Sequence, residues 1–423
     1  MNETNLTAHW QKQRLSRRRL LRGAAVGAAG AAGLAVAACG GGSDNGANAT
    51  AVATAAETGI APQLGAVEQQ KALRIRTGLT AWDSSKAFEG LTLFSPNDGD
   101  SIYLIAMNGN VVHRWDLITD SEDPRGIRYA YLLDNGNLFV HMSLPAGDSP
   151  LYVFKGGIMM EVGWEGEVLW EFEDTAQHHD ARMLPNGNLL LLRVEEIPSD
   201  VADRLQGGRV EEDDGFWADW VVETTLDGEV VWEWHAYEHL DPEQYVVNSE
   251  DRRNDWTHGN SLESMPDGKF IISLRNTNTV AIVDPETGEI TWELGSPDIA
   301  QQHNASPLEN GHVLIFDNGA NHVDGLPSSR VIEVDIETDE IGWEYQDQSF
   351  LDFFSSIVSS AQRLPNGNTL IDEGTSGRIF EVTEDGEVVW EYISPFVRND
   401  PQLGNTNIIF RAYRYPVDAF PLL

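Results

Sequence analysis

The sequence predicts an all-β protein, a six-bladed β-propeller of four-stranded antiparallel blades, on three observations. First, a turn and an apolar strand ending in Trp recur six times. The copies are NGNVVHRW at Trp115, EGEVLWEF around Trp170, DGEVVWEW around Trp232, TGEITWEL around Trp292, TDEIGWEY around Trp343 and DGEVVWEY around Trp390. They lie 47 to 62 residues apart, nearer the period of propeller blades than that of helical solenoids. Second, Asn135-Gly136, Asn186-Gly187, Asp267-Gly268, Asn310-Gly311 and Asn366-Gly367 interleave with the Trp copies and supply the positive φ that tight hairpins need. Third, each hairpin is followed by a β-rich run such as LLLL, FIIS, VLIF or TLID, then by a strand such as RVIEV or RIFEV. With the Trp strand this gives four strands per unit.

Length and composition agree with that frame. A chain of 423 residues exceeds a single ordinary domain, and one large repetitive architecture absorbs the excess. Hydrophobic content of 41% and charged content of 22% suit a globular core, and a single cysteine excludes an intrachain disulfide. The net charge of -39 argues against nucleic acid or an anionic lipid surface as partner.

In chain order, the first element is an export signal. SRRRLLR, starting at Ser16, is a twin-arginine pattern, and the Ala/Gly stretch after it ends in Val36-Ala37-Ala38-Cys39. That stretch, Gly23 to Ala38, is 16 residues long, short of the roughly 20 apolar residues of a membrane helix. Small residues before Cys39 and three glycines after it form a lipobox. Residues 1–38 therefore read as a cleaved signal, 39–70 as a flexible tether and 71–423 as the propeller. The expected location is the outer side of the cytoplasmic membrane, held there by a lipid on Cys39. The first blade, residues 91–117, shows only three strands, so residues 408–415 are expected to supply its inner strand and close the ring. The repeated Trp rings are expected to pack between neighbouring sheets.

Polar residues fall on this frame in a fixed register. Arg128, His179, Asn260, His303 and Ser359 each precede the hairpin Asn or Asp by seven residues. Equal offsets place them at one height of the innermost strands, roughly 23 Å from the hairpins and around the propeller axis. His258 shares the face of Asn260 by the two-residue strand period, and Arg275 returns along the second strand to the same end. His178 and Asn318 stand beside this group. A metal site would need acidic ligands at equivalent ring positions, and Arg275 would repel the cation. Ser359 lies in SSIVSS, which has no nucleophile elbow. A histidine nucleophile in a cationic, anion-binding site fits the residue types best, attacking sulfur or phosphorus while Arg, Asn and His donors hold the oxygens.

At these residues the chain resembles the bacterial arylsulfate sulfotransferase (arylsulfotransferase) family. The resembling segments are HHDARMLPNGN from His178, DWTHGNS from Asp255, SLRNTN from Ser273, TGEITWELG from Thr287, QQHNAS and IFDNG between Gln301 and Gly319, and IIFRAYRYP ending at Pro416. The resemblance implies transfer of a sulfuryl group from a phenolic sulfate ester to a phenolic acceptor, with no nucleotide sulfate donor and no cofactor. It matches His303 to the nucleophile that becomes a transient sulfohistidine. His258, Asn260, Arg275 and His179 or His178 match the groups that bind sulfate oxygens and move protons. The register favours His179 over His178. Asn318 and a last-blade serine (Ser356, Ser359 or Ser360) complete the expected substrate contacts. No large N-terminal β-domain, present in some members, precedes the repeats, and oligomeric state is not set by the sequence.

Two rival readings remain. IVDPETGEITW resembles the Trp-docking repeat of quinoprotein dehydrogenases, against which stand six rather than eight units and no vicinal cysteines. A non-catalytic binding propeller would keep the Trp and Asn-Gly repeats without needing polar residues at one ring height.

Overall fold

The computed structural model describes residues 76–118, 125–144, 156–210, 215–322, 326–347, 349, 352–400 and 404–420. The twin-arginine segment, Cys39 and the tether to residue 70 lie outside them. The described residues form six antiparallel sheets arranged as a six-bladed propeller.

The first blade contains Leu91–Pro96, Ser101–Ala106 and Val111–Asp116, and its innermost strand, Ile409–Tyr415, comes from the far end of the chain. The second blade is Gly126–Leu132, Leu138–Ser143, Gly157–Val162 and Val168–Asp174. The third is Gln177–Met183, Leu189–Glu196, Trp217–Thr224 and Val230–His235. Gly259–Ser264, Phe270–Leu274, Thr279–Val283 and Ile290–Leu294 make the fourth. His303–Pro307, Val313–Asp317, Arg330–Val334 and Ile341–Tyr345 make the fifth. The sixth has Ser360–Arg363, Thr369–Glu373, Arg378–Val382 and Val388–Ile393, and gains a fifth, outermost strand, Gly78–Trp82. The repeat pattern carries no trace of that extra strand, because it lies upstream of the first Trp motif.

Residues alternate along each strand between the two faces of a blade, so each seam between blades receives its own apolar cluster. Leu93, Leu104 and Val140 fill the first seam, Phe139, Leu191 and Val222 the second, and Leu192, Leu262 and Ile272 the third. Ile271, Val280 and Ile315 fill the fourth, Phe316, Ile371 and Phe380 the fifth, and Phe94, Leu370 and Trp390 the seam that closes the ring. At about 25 cal/mol per Å² of apolar area removed from water, these contacts are the main force holding blade to blade.

Two sets of hydrogen bonds fix the rotation of each blade on the next. On the outside, every repeat Trp donates its indole N–H to the last turn of the following blade at 2.8 to 3.3 Å. Trp115 reaches Gly163 O, Trp170 Leu226 O, Trp232 Pro285 O, Trp292 Asp339 Oδ1, Trp343 Glu384 O and Trp390 Met107 O, completing the circle. On the inside, the residue after each ring position accepts a backbone N–H from the next blade. Tyr129 takes it from Ala181, Asp180 from Leu262, Ser261 from Ala305, Asn304 from Ala361 and Ser360 from Ala412. Each such bond contributes about 1 kcal/mol, and together they tie five of the six seams at that height. The same register makes Phe410 the sixth ring position.

The third blade carries an insertion on the face that bears the ring. A parallel ribbon of Gly207–Arg209 with Val247–Arg252, flanked by the one-turn helices Ser199–Ala202 and Ala236–His239, brings Asp251 over the fourth blade.

Candidate active site

The ring positions coincide with β-bulges. Strand pairing slips at residue 128, between 177 and 181, between 259 and 261, and between 303 and 306. A bulge re-aims side chains that a regular pleat would send into the seams. Six of the nine non-glycine residues with positive φ among the described residues cluster here: His179, His258, Gln301, Asn304, Val358 and Ser359. Left-handed backbone at two site histidines, both at φ 50°, is strain held by the surrounding hydrogen bonds.

His303 is buried, with only 5% of its surface exposed, on the innermost strand of the fifth blade. Its Nδ1 lies 2.7 Å from Asn318 Oδ1. Asn318 donates from Nδ2 to the carbonyls of Ser355 (2.8 Å) and Val358 (3.1 Å), so its oxygen must be the atom facing the imidazole. His303 is therefore protonated on Nδ1 and carries its lone pair on Nε2, which accepts the Val358 N–H at 3.2 Å. Burial first, and then the Arg275 guanidinium, push its pKa down from 6.5 to about 3, against the Asn318 hydrogen bond. His303 is a neutral imidazole across the physiological range.

Three further histidines occupy the adjoining blades. The His179 ring meets the His258 ring edge to face, centroids 4.8 Å apart, and lies 6.4 Å from the ring of Phe410. His179 Nδ1 is 2.9 Å from His178 Nδ1, and His178 Nε2 faces Asp219 Oδ1 at 3.1 Å. His258 Nδ1 lies 2.6 Å from Asp255 Oδ2. Burial, then His258, His178 and Arg128 in that order, hold His179 well below the usual 6.5. His258 is also close enough to His303 to oppose its protonation. Blades three, four and five thus bring His179, His258 and His303 within electrostatic reach of one another.

Arg275 is anchored rather than loose. Its Nη1 donates to Asp251 Oδ1 (2.9 Å) and Asn276 Oδ1 (2.8 Å), and its backbone N–H donates to His258 O (3.1 Å). Asp251 also accepts from Gln301, two residues before His303. Arg128 is held by Asp98 at 3.2 Å. Asn260 is fully buried and donates to Gln302 O at 2.8 Å, while its Oδ1 has no hydrogen-bond donor among the described residues. Ser359 donates to Ser355 Oγ and accepts from Gly374 N–H, so its hydroxyl serves the loop before the sixth blade. Asn318 likewise directs its side-chain polar atoms at the protein, Oδ1 at His303 and Nδ2 at the Ser355 and Val358 carbonyls.

Below the ring, Arg411 of the closing strand makes a two-pronged ion pair with Asp180 at 2.8 and 2.6 Å, and Tyr129 donates to the same carboxylate at 2.7 Å. All three residues are buried. Arg411, Phe410, Asp219 and Asp255 were not singled out by the residue pattern. The closing strand has no Asn-Gly hairpin from which to count, and Asp219 lies on a third strand, where the ring register does not reach. The Gly259 of WTHGN carries a signal in hindsight: a Cβ there would collide with the Asp219 carboxylate. No group of three or more His, Cys, Asp or Glu among the described residues is placed to hold a metal ion.

Among curated proteins none matches the chain. Several solved structures are similar to the chain. A Bacteroides caccae protein of unknown function is 15% identical, covering 77% of this chain and 98% of its own at a TM-score of 0.48. Virginiamycin B lyase from Staphylococcus aureus is 11% identical over 76% of this chain and 84% of its own, at 0.41. Hydrazine synthase from Kuenenia stuttgartiensis is 12% identical over 69% and 73%, also at 0.41. The profile of the arylsulfotransferase (ASST) family matches residues 133–395, well over half of the 423 residues and every ring residue from His178 to Ser359, and the chain belongs to that family.

Proposed function

We propose that the protein transfers a sulfuryl group from a phenolic sulfate ester to a phenolic acceptor through a sulfohistidine at His303, without a nucleotide donor. The observation that carries this reading is the fixed tautomer of His303, a buried neutral imidazole whose Nε2 lone pair is set by Asn318 and lies beside Arg275, His258 and His179.

In the first step Nε2 attacks sulfur in line, the S–O bond to the donor breaks, and phenolate leaves with its electron pair. The Val358 N–H now on Nε2 must withdraw with its loop and is then suited to bond a sulfuryl oxygen. Arg275 offsets negative charge on the transferred group from a position that Asp251 holds. In the second step the acceptor oxygen attacks sulfur, the N–S bond breaks, and its electron pair returns to Nε2. The acceptor's proton goes to a neighbouring histidine, which returns it to a later leaving phenolate. Kinetics of this kind are ping-pong.

The deciding experiment incubates 4-nitrophenyl sulfate with excess phenol, wild type beside His303→Ala. Release of nitrophenol and sulfation of phenol are expected in the wild type, with a loss of at least about 1,000-fold in the variant. Unchanged turnover in the variant would remove His303 as nucleophile. The twin-arginine and lipobox motifs support export and a lipid anchor on Cys39, which mass spectrometry of the membrane fraction would detect.

A further inference from the structure

The two nitrogens of His178 connect an acidic group to a ring histidine. Asp219, on the third strand of the third blade, is buried and rigidly held. Its Oδ2 accepts Gly259 N–H at 2.7 Å, and its own N–H donates to Thr257 Oγ1 at 2.9 Å. Burial opposes its ionisation, but the His178, Thr257 and Gly259 donors outweigh burial and keep the carboxyl below its ordinary range. His178 Nε2 lies 3.1 Å from Asp219 Oδ1 without the alignment of a hydrogen bond, but a carboxylate oxygen repels a ring lone pair, so the hydrogen sits on Nε2 and the lone pair on Nδ1. His179 must then donate from Nδ1 at 2.9 Å, which leaves its own lone pair on Nε2, the ring edge away from His178. The opposite tautomers would set the His178 lone pair against a carboxylate. Gly259 is what lets the carboxylate come this close, since any side chain there would displace it.

We infer that Asp219 is a positioning residue which, through His178, keeps His179 in the tautomer whose Nε2 accepts the proton of the incoming phenol. This rests on the sulfotransferase reading and adds to it a division of labour. The acceptor O–H bond breaks toward His179 Nε2 as the acceptor oxygen bonds sulfur and the bond to His303 Nε2 breaks. Positive charge forming on His179 is shared through His178 toward Asp219, and the proton later leaves on a departing phenolate. Asp219 touches neither donor nor acceptor.

Asp219→Asn tests this. With its oxygen on the Gly259 N–H, an Asn would turn Nδ2–H toward His178 Nε2, reversing both tautomers and presenting His179 as a donor. The expected result is an unchanged burst of 4-nitrophenolate from 4-nitrophenyl sulfate alone, with transfer to unsubstituted phenol slowed about 100-fold. Loss should shrink toward a few-fold as electron-withdrawing substituents make the acceptor more acidic, because such phenols need no base. Gly259→Ala, whose Cβ would push the same carboxylate away from His178, should give the same pattern and stands in if Asp219→Asn fails to fold. Equal losses in burst and transfer in a folded variant, or a loss independent of acceptor acidity, would overturn the inference. A wild type with neither burst nor transfer would instead sink the sulfotransferase reading on which it rests.

Discussion

Two halves of the same pocket hold their histidines by opposite means. On the fifth-blade side, His303 is gripped by an amide oxygen, a backbone carbonyl at 3.2 Å and a backbone N–H, all neutral. On the third- and fourth-blade side, His178 and His258 each face a carboxylate, Asp219 and Asp255. Neutral partners orient an imidazole without stabilising its protonated form, so its lone pair stays available to an electrophile. Carboxylate oxygens can only accept, so they set which ring nitrogen of a facing imidazole carries the hydrogen. Under the proposed sulfuryl transfer, the contrast would separate a nucleophile oriented by neutral partners from proton-moving groups oriented by carboxylates.

The largest effect is expected from erasing that contrast. Asn318→Asp gives His303 a carboxylate partner and should raise its affinity for protons by one or more pK units, about the shift an adjacent opposite charge produces. Stopped-flow release of phenolate should fall by up to about 10-fold at pH 5, the limit set by a rise from about 3 to about 6, and recover toward pH 8. A variant profile as flat as the wild type would break the comparison. Stability also drops, since the Ser355 and Val358 carbonyls lose their donor.

A second prediction concerns acid stability. The unfolded imidazole binds its proton near 6.5, but folded His303 does so only near 3, so the unfolded state holds more protons between those values. Stability is therefore full above about 6.5 and falls as the pH is lowered toward 3. His141, pushed down to about 4 by burial, acts in the same direction. His303→Gln should remove about one proton from the slope, roughly 1.4 kcal/mol per pH unit, as read by denaturant melts from pH 4 to 7. An unaltered slope would mean that His303 is not the neutral group described.

The smallest effects lie far from the pocket. Trp292→Phe loses a half-exposed bond to Asp339 and should cost less than about 1 kcal/mol. Trp390→Phe strands the buried Met107 carbonyl and should cost about 1 to 3 kcal/mol, with transfer rates intact in both. Equal costs would show that the closing seam is no tighter than the others.

Much of this was legible because hairpins act as a clock. Counting back from Asn-Gly or Asp-Gly fixed the height of Arg128, His179, Asn260, His303 and Ser359, and the Trp repeat counted the blades. The count could not see how each side chain is turned. The bulges that re-aim the ring, the occupation of Ser359 by its own loop and the turning of Asn318 onto His303 depend on backbone bonds from neighbouring blades. Phe410 and Arg411 were hidden because their strand has no hairpin of its own. Asp219 and Asp255 contact the histidines from outside the innermost strands, where periodicity carries no information about distance.

The closing strand also sets an order of assembly. Ile409–Tyr415 is among the last described segments a ribosome would release, yet it carries the guanidinium that neutralises Asp180 and the aromatic ring next to His179. Until it docks, the blade-three carboxylate under the pocket has lost its Arg411 partner and the first sheet has an open inner margin. A nascent or clipped chain that stops before Arg411 would therefore have its histidines in place along the polymer but neither the guanidinium nor the aromatic ring that holds them together.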